Sequence, residues 1–458
     1  MTVAETQSEH FAQGKAMRAS VPRRSHGTWS PGADRLDPVE VITSQNADRL
    51  QWLVPIRHWR MSQSPFAFYR GAAKLMAMDL DATPRTGITA QICGDAHLSN
   101  FGMYGSPERK LVFDLNDFDE TLPGPWEWDV KRLATSFAIA ARHGGFFDVE
   151  RTLAVEAATA YRTAMASFAA MGYLDAWYSH LAVKEINKAF AGQRTKQEQK
   201  RSKRAAKKAR TKDSLHVLGK LAEEVGGSYR IIAQPPLIVP FRDIPHVTDE
   251  EEARQVAADV FDSYLQTLDD HLQVLLSRYT VMDGAIKVVG VGSVGTRCLI
   301  VLLEGRDADD PLFLQLKEAS PSVLEDHLPP STYQNSGQRV VEGQVLMQAA
   351  SDSFLGWTEN PISSTHYYVR QLKDMKASPD VESATPKALS RFARLCGWTL
   401  ARAHARSGHA ASTAGYLGSG TVFDEAIGDF AMVYADQNER DYAEFKLAIE
   451  EDRIPAHE

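Results

Sequence analysis

Apolar positions change their period along the chain, and the changes mark out its elements. In SPFAFYRGAAKLMAMDL, residues 64–80, they recur at helical spacing behind a Ser-Pro helix start. TGITAQICGD then reads as a strand running into a loop, and FGMYG and KLVFDL as a strand pair around the turn SPER. EWDVKRLATSFAIAARHG returns to the helical period, and helix continues to about Ser179. The segment VTDEEEARQVAADVFDSYLQTLDDHLQVLLSRY predicts one long helix, capped by Thr248 and with acids in its first turn. AIKVVGVGSVGTRCLIVLLEGRDADDPLFLQLKEA alternates apolar runs with turns, so three consecutive antiparallel strands are expected. A helix over 338–350, an extended YYVRQLKDMK, an amphipathic helix in ALSRFARLCGWTLARAHARSG and a helical tail from Phe423 follow. The first sixty or so residues are expected to wrap the surface, with one short helix near Val39 to Leu53, and PPLIVP reads as a break. No internal repeat is present.

A chain of 458 residues exceeds one simple core, so two or more lobes or domains are expected. A net charge of −8 gives no global reason for nucleic-acid or membrane binding, and no apolar run approaches the length of a membrane span. Cys93, Cys298 and Cys396 lie far apart and form no metal-type pair; they fit a reducing compartment. The N-terminus lacks the apolar centre of a secretory signal, which makes a cytoplasmic location the expectation. One local exception stands out. Residues 194–212 carry ten basic residues against the single acid Glu198. They read either as a solvated helical arm or as a grip on phosphate-rich polymers. The acidity of the whole chain favours the arm, and nucleic acid is not the expected partner.

Two clusters carry candidate chemistry. CGDAHLSN and LVFDLNDFDE place Asp95, His97, Asn100, Asp114, Asp117 and Asp119 within one short region between apolar runs. Buried charge needs a partner, so these acids are either turn caps or part of a metal and phosphate site. GVGSVGTR supplies Gly290, Gly292, Ser293 and Gly295 between two strands. A dinucleotide fingerprint would need a helix directly after it, whereas TRCLIVLL reads as a strand. The context therefore suggests a glycine-rich flap over nucleotide phosphates, which calls for a lysine on the next strand and a carboxylate on the following helix. Lys317 in LFLQLKEA meets the first demand, and Glu342 is the expected carboxylate, ahead of Glu318 and Glu325. The plainer alternative for Lys317 is a strand-end lysine reaching solvent.

CGDAHLSN resembles the HGDxHxxN catalytic loop of aminoglycoside-phosphotransferase-like kinases at every fixed position but the first, where Cys93 stands for histidine. The resemblance implies that Asp95 is the catalytic base and that Asn100 binds Mg²⁺ (or Mn²⁺), with His97 in support. It also implies a second metal ligand after the strand pair. Asp117 is preferred, since Asp129 then follows at the spacing of those kinases; Asp114 is the alternative, and Asp114 and Asp119 otherwise read as supporting neighbours or as a second metal ligand. Lys317 would hold the α- and β-phosphates of ATP. Because the catalytic loop precedes the flap, the resemblance implies an α+β, bilobal protein-kinase-like fold that is circularly permuted, with a helical insertion. Its parts would be an N-terminal extension (1–60), a large-lobe part with the catalytic and metal loops (61–180) and a helical insertion leading to the small lobe (181–280). The small lobe (281–375) and C-terminal large-lobe helices (376–458) complete it.

The whole motif series, RMSQSPFAFYRG, CGDAHLSNFG, LVFDLNDFDE, GPWEWDVKRLA, KVVGVGSVGTR and LQLKEA, also resembles that of an uncharacterised bacterial family. Within it Arg60 and Arg70 read as phosphate or acceptor contacts or as partners of the nearby acids, and Trp126 and Trp128 as core. The expected activity is ATP- and Mg²⁺-dependent phosphoryl transfer to a hydroxyl of an unnamed small molecule or protein. AMP transfer and a nucleotide-binding pseudokinase scaffold are the alternatives.

Overall fold

A computed structural model of the chain describes residues 6–193, 196–210, 214–244, 250–372, 375–377, 381 and 383–458. It is a mixed α+β structure. Six strands form one antiparallel sheet in the order Gly356–Glu359, His366–Gln371, Pro311–Glu318, Cys298–Glu304, Thr280–Lys287, Ile238–Pro240. The three consecutive strands expected from the sequence form its centre. Both faces are covered, which explains why these strands read as near-continuous apolar runs. Phe313, Ile300 and Leu302 pack under the helix Ser214–Leu221 through Val217, Leu218 and Leu221. Leu312, Leu314, Leu316 and Val369 pack on the other face against Tyr264, Leu268 and Leu276. Lys317 lies on the Phe313 face, opposite Cys298, so the lysine stands beside the residue that leaves the glycine turn.

The rest of the core is mainly helical. Trp126–His143, Glu150–Ala169, Pro386–Ser407 and Val422–Glu450 bury Phe137, Tyr161, Leu400 and Phe430 in one cluster, with Trp126 and Trp128 inside it. Two short antiparallel pairs hold the acidic loops against these helices. Thr89–Ile92 pairs with Leu122–Pro125, and Phe101–Gly105 with Leu111–Leu115 around the expected turn. The chain segments 93–100 and 116–121 are thereby fixed at both ends.

Several elements differ from the sequence reading, for tertiary reasons. The helix expected over 64–80 starts as predicted, with Ser64 accepting from the Ala67 amide at 3.0 Å, but splits at Ala72 into Pro65–Gly71 and Ala73–Asp81. The long helix expected from Thr248 is Glu250–Leu265 and Asp270–Leu276, a break that lays Leu268 and Leu276 on the sheet; Thr248 itself lies outside the described residues. PPLIVP is no break: Ile238–Pro240 is an edge strand, where proline is tolerated. The N-terminal region does not simply wrap the surface. Val39, Ile42, Met61 and Phe68 form a core cluster with Phe445 and Ala448 of the last helix. The basic segment is helical over Lys196–Arg210 and seats Ala206 and Ala209 against Leu111, Val183 and Met375. Among the described residues, no helix is long and apolar enough to cross a membrane.

Candidate functional site

The two acidic loops meet at Gly94. Its φ is +76°, and a Cβ there would lie 2.5 Å from the Glu120 carbonyl oxygen, so both conformation and space demand glycine. The first loop is anchored from below by the helix Trp126–His143. Asp129, in its first turn, accepts the amides of Cys93 at 2.8 Å and Gly94 at 3.0 Å, and His404 Nε2 lies 3.2 Å from the same carboxylate. Cys93 is buried, and burial pushes its thiol well up. Asn100 ties the loop to itself, donating through Nδ2 to the Asp95 carbonyl at 2.8 Å, which leaves its amide oxygen for another partner.

Asp95 faces a cavity of about 360 Å³, together with His97, Asn100, Asp117 and Asp119. Arg132 Nε donates to its Oδ1 at 2.5 Å, and His97 Nε2 is 3.7 Å from its Oδ2. Burial raises the Asp95 carboxyl, and the Arg132 charge opposes the rise. Burial, with Arg70 and Arg132 close by, keeps His97 neutral by lowering it well below the usual imidazole range. Arg132 was not singled out from the sequence. Its signal is helical spacing, since it follows Asp129 by one turn on the same helix.

Lys317 joins the two halves of the site. Its Nζ donates to Asp119 Oδ2 at 2.7 Å and lies 3.7 Å from Asp117 Oδ1, across 198 residues of sequence. Tyr368, its cross-strand neighbour, donates its hydroxyl to the other Asp119 oxygen at 2.6 Å. Burial works against a charged Asp119, but Lys317 prevails and holds it down to about 2. Burial likewise opposes a charged Lys317, and Asp117 and Asp119 raise it well above its ordinary value. Asp117 is raised, first by burial and then by the neighbouring Asp119 charge.

Two sequence expectations are corrected here. Glu342 is not the carboxylate beside Lys317; among the described residues that role falls to Asp119 and Asp117. The helix Ser336–Met347 instead sends Arg339 inward, donating to the carbonyls of Thr121, Asp119 and Ser320 at 2.7, 2.8 and 2.9 Å. Asp114, the alternative metal ligand, is already engaged by protein partners. It is buried, pairs with Arg402 and accepts the amides of Leu115 at 2.9 Å and Ala349 at 3.2 Å.

Asp117 fits a cation better. Its Oδ1 is buried and accepts no hydrogen bond among the described residues, and the Lys317 ammonium is 3.7 Å away. Asn100 lines the same cavity, and its amide oxygen and the Asp117 carboxylate are hard donors of the kind Mg²⁺ takes beside water or phosphate. No cluster of three or more His, Cys, Asp or Glu capable of holding a metal occurs among the described residues, so any ion would rely on a ligand's oxygens as well.

A second cavity, of about 510 Å³, shares Asp117, Gly290 and Ser293 with the first. Leu272, Leu275, Phe354 and Leu372 give it apolar wall, while Lys287, Lys317, Arg370 and Lys376 give it positive charge. Burial, with Arg370 nearby, lowers Lys376 to about 7. Arg370 and Tyr368 were missed in the sequence, although strand alternation puts both on the Lys317 face. The glycines reach the site in part: Gly290 borders both cavities and Gly292 the first, while Gly295 packs over Arg49.

Residues 49–448 match the profile of a family described as "Uncharacterized protein conserved in bacteria (DUF2252)", and the chain belongs to that family. No curated protein matches the chain, and neither does any solved structure.

Proposed function

We propose that this protein is an ATP- and Mg²⁺-dependent phosphotransferase with a circularly permuted, kinase-like arrangement. The observation that carries the reading is the ion pair of Lys317 with Asp119 and Asp117, between the second strand after the glycine turn and the loop after the acidic hairpin. Two cavities joined at Asp117 suit the two substrates of such a transfer. The apolar and cationic cavity suits a nucleotide, its base against Leu272, Phe354 and Leu372 and its phosphates near Lys317, Arg370 and Lys376. The cavity floored by Asp95 suits a hydroxyl acceptor.

Asp95 would accept the proton of that hydroxyl as the oxygen attacks the γ-phosphorus and ADP leaves. Its raised pKa brings the carboxylate nearer the proton it must take. Lys317 would neutralise charge on the phosphates, and its elevated pKa keeps it cationic at any working pH. Asn100 and Asp117 would hold the metal ion, which offsets negative charge on the transferring group when bound. Cys93 is no obstacle, because the loop is fixed by its backbone amides on Asp129.

The test is incubation with ATP and Mg²⁺ or Mn²⁺ in a bacterial metabolite extract, with nucleotide products, self-modification and extract followed by mass spectrometry. Gain of a phosphoryl mass by an acceptor, abolished in Asp117→Ala, supports the reading. Gain of an AMP mass replaces it with adenylyl transfer, and nucleotide binding without any product replaces it with a scaffold.

A further inference from the structure

The glycine-rich turn is held from outside by a distant part of the chain. Arg60 Nη1 donates to the Gly290 carbonyl at 2.7 Å, Arg49 Nη1 to the Val294 carbonyl at 2.6 Å, and the Leu50 amide to the Gly295 carbonyl at 2.8 Å. Val294 is fully buried against Leu53 and Ile56, and Val291 packs on the cluster containing Val39, Ile42 and Met61. Close approach explains two of the three glycines, one of them against the clamp itself. A Cβ on Gly292 would lie 3.2 Å from the Arg70 carbonyl oxygen. Gly295 has φ +93° and would set a Cβ 3.0 Å from that of Arg49.

We propose that residues 49–60 form a clamp that fixes the glycine turn in its phosphate-binding shape, with Arg49 and Arg60 as positioning residues for the nucleotide. The proposal rests on the nucleotide reading above. A carbonyl facing a phosphate repels it, whereas N–H groups attract it. The carbonyls of Gly290, Val294 and Gly295 are engaged by the clamp, and the amides of Val294 and Thr296 donate within the turn to Val291 and Ser293 at 3.3 Å each, so the amides of Val291, Gly292 and Ser293 are the ones the turn would offer an anion. Donation from a guanidinium makes two of these bonds stronger than neutral ones. The turn is also ordered before a ligand arrives, which removes an entropic cost from binding. Both arginines precede the turn by more than two hundred residues, which explains why neither was legible as part of the site.

The test compares MgATP with adenosine, which has no phosphates, on the full chain. Arg60 bonds the turn at an exposed position, so Arg60→Ala should fold. Its affinity for MgATP should drop about tenfold, the scale of one charged hydrogen bond, with adenosine affinity unchanged. Amide exchange over 290–296 should speed up, and Arg60→Lys, which retains one donor, should recover most of the lost affinity. Unchanged MgATP affinity in Arg60→Ala, or equal weakening of MgATP and adenosine, overturns the clamp and leaves the nucleotide reading in place. Failure of the wild type to bind either compound overturns both. Arg49→Lys, probed in the same way, guards against an effect peculiar to position 60.

Discussion

Lys131 is fully buried in the helix that carries Asp129 and Arg132, and its Nζ has no hydrogen-bond partner among the described residues. The Phe430 ring lies 4.9 Å below it. Burial lowers its pKa to about 7, and Glu127 opposes the fall. The unfolded chain therefore holds this proton more tightly, and the stability cost is largest below pH 7 and shrinks as pH rises toward the ordinary lysine value. Lys131→Met should be more stable than wild type at pH 6, by on the order of 2 kcal/mol in denaturant unfolding, with the gap narrowing at pH 9. Asp119 has the opposite sign. Held down to about 2, it contributes stability above the ordinary carboxylate pKa and loses it as pH falls toward 2. Asp119→Asn, which takes the charge from beside Lys317, should cost about 2 kcal/mol at pH 7. The difference from wild type should close between pH 4 and pH 2; a constant difference would show that Lys317 is not its cause.

Elements carry the site by bringing backbone to backbone, and this is where sequence and structure part. The acidic loops were legible because each is framed by strand signals, and the central sheet because its runs are β-branched and apolar. The lysine after the glycine turn followed from strand order alone. Its partner did not. Expecting a carboxylate on the next helix picked Glu342, whereas the helix turns Arg339 and Gly343 to the acidic loop, and Asp119 reaches the lysine itself. Nothing local in NDFDE distinguishes Asp117, whose Oδ1 is unbonded, from Asp119, which is paired. Counting from Asn100 makes Asp114 the alternative to Asp117, yet its partner Arg402 lies 288 residues on, in a helix that one-dimensional spacing cannot place. Glu342→Gln should accordingly leave MgATP affinity within about twofold of wild type, since it sits away from Lys317; a loss comparable to Lys317→Ala would restore the original expectation.

At the scale of the whole molecule, the sheet and the helical core are joined by long-range bonds: Lys317 to Asp119, Arg339 to the carbonyls of Asp119 and Thr121, Arg60 and Arg49 to the glycine turn. Each of these bonds links segments remote in sequence, which is why the meeting had to be inferred from chemistry and not from pattern. Two cavities meet these segments and share Asp117, Gly290 and Ser293. A nucleotide in the larger one with its phosphates at Asp117 is the central claim, and binding there should be metal-dependent. Calorimetric titration of the full chain with ATP, with and without Mg²⁺, tests it most directly. The account predicts saturable binding that tightens at least tenfold with Mg²⁺, and that Asp117→Ala abolishes the metal's effect while preserving the metal-free affinity. Absence of ATP binding with any divalent ion, or the same Mg²⁺ enhancement in Asp117→Ala, would contradict it.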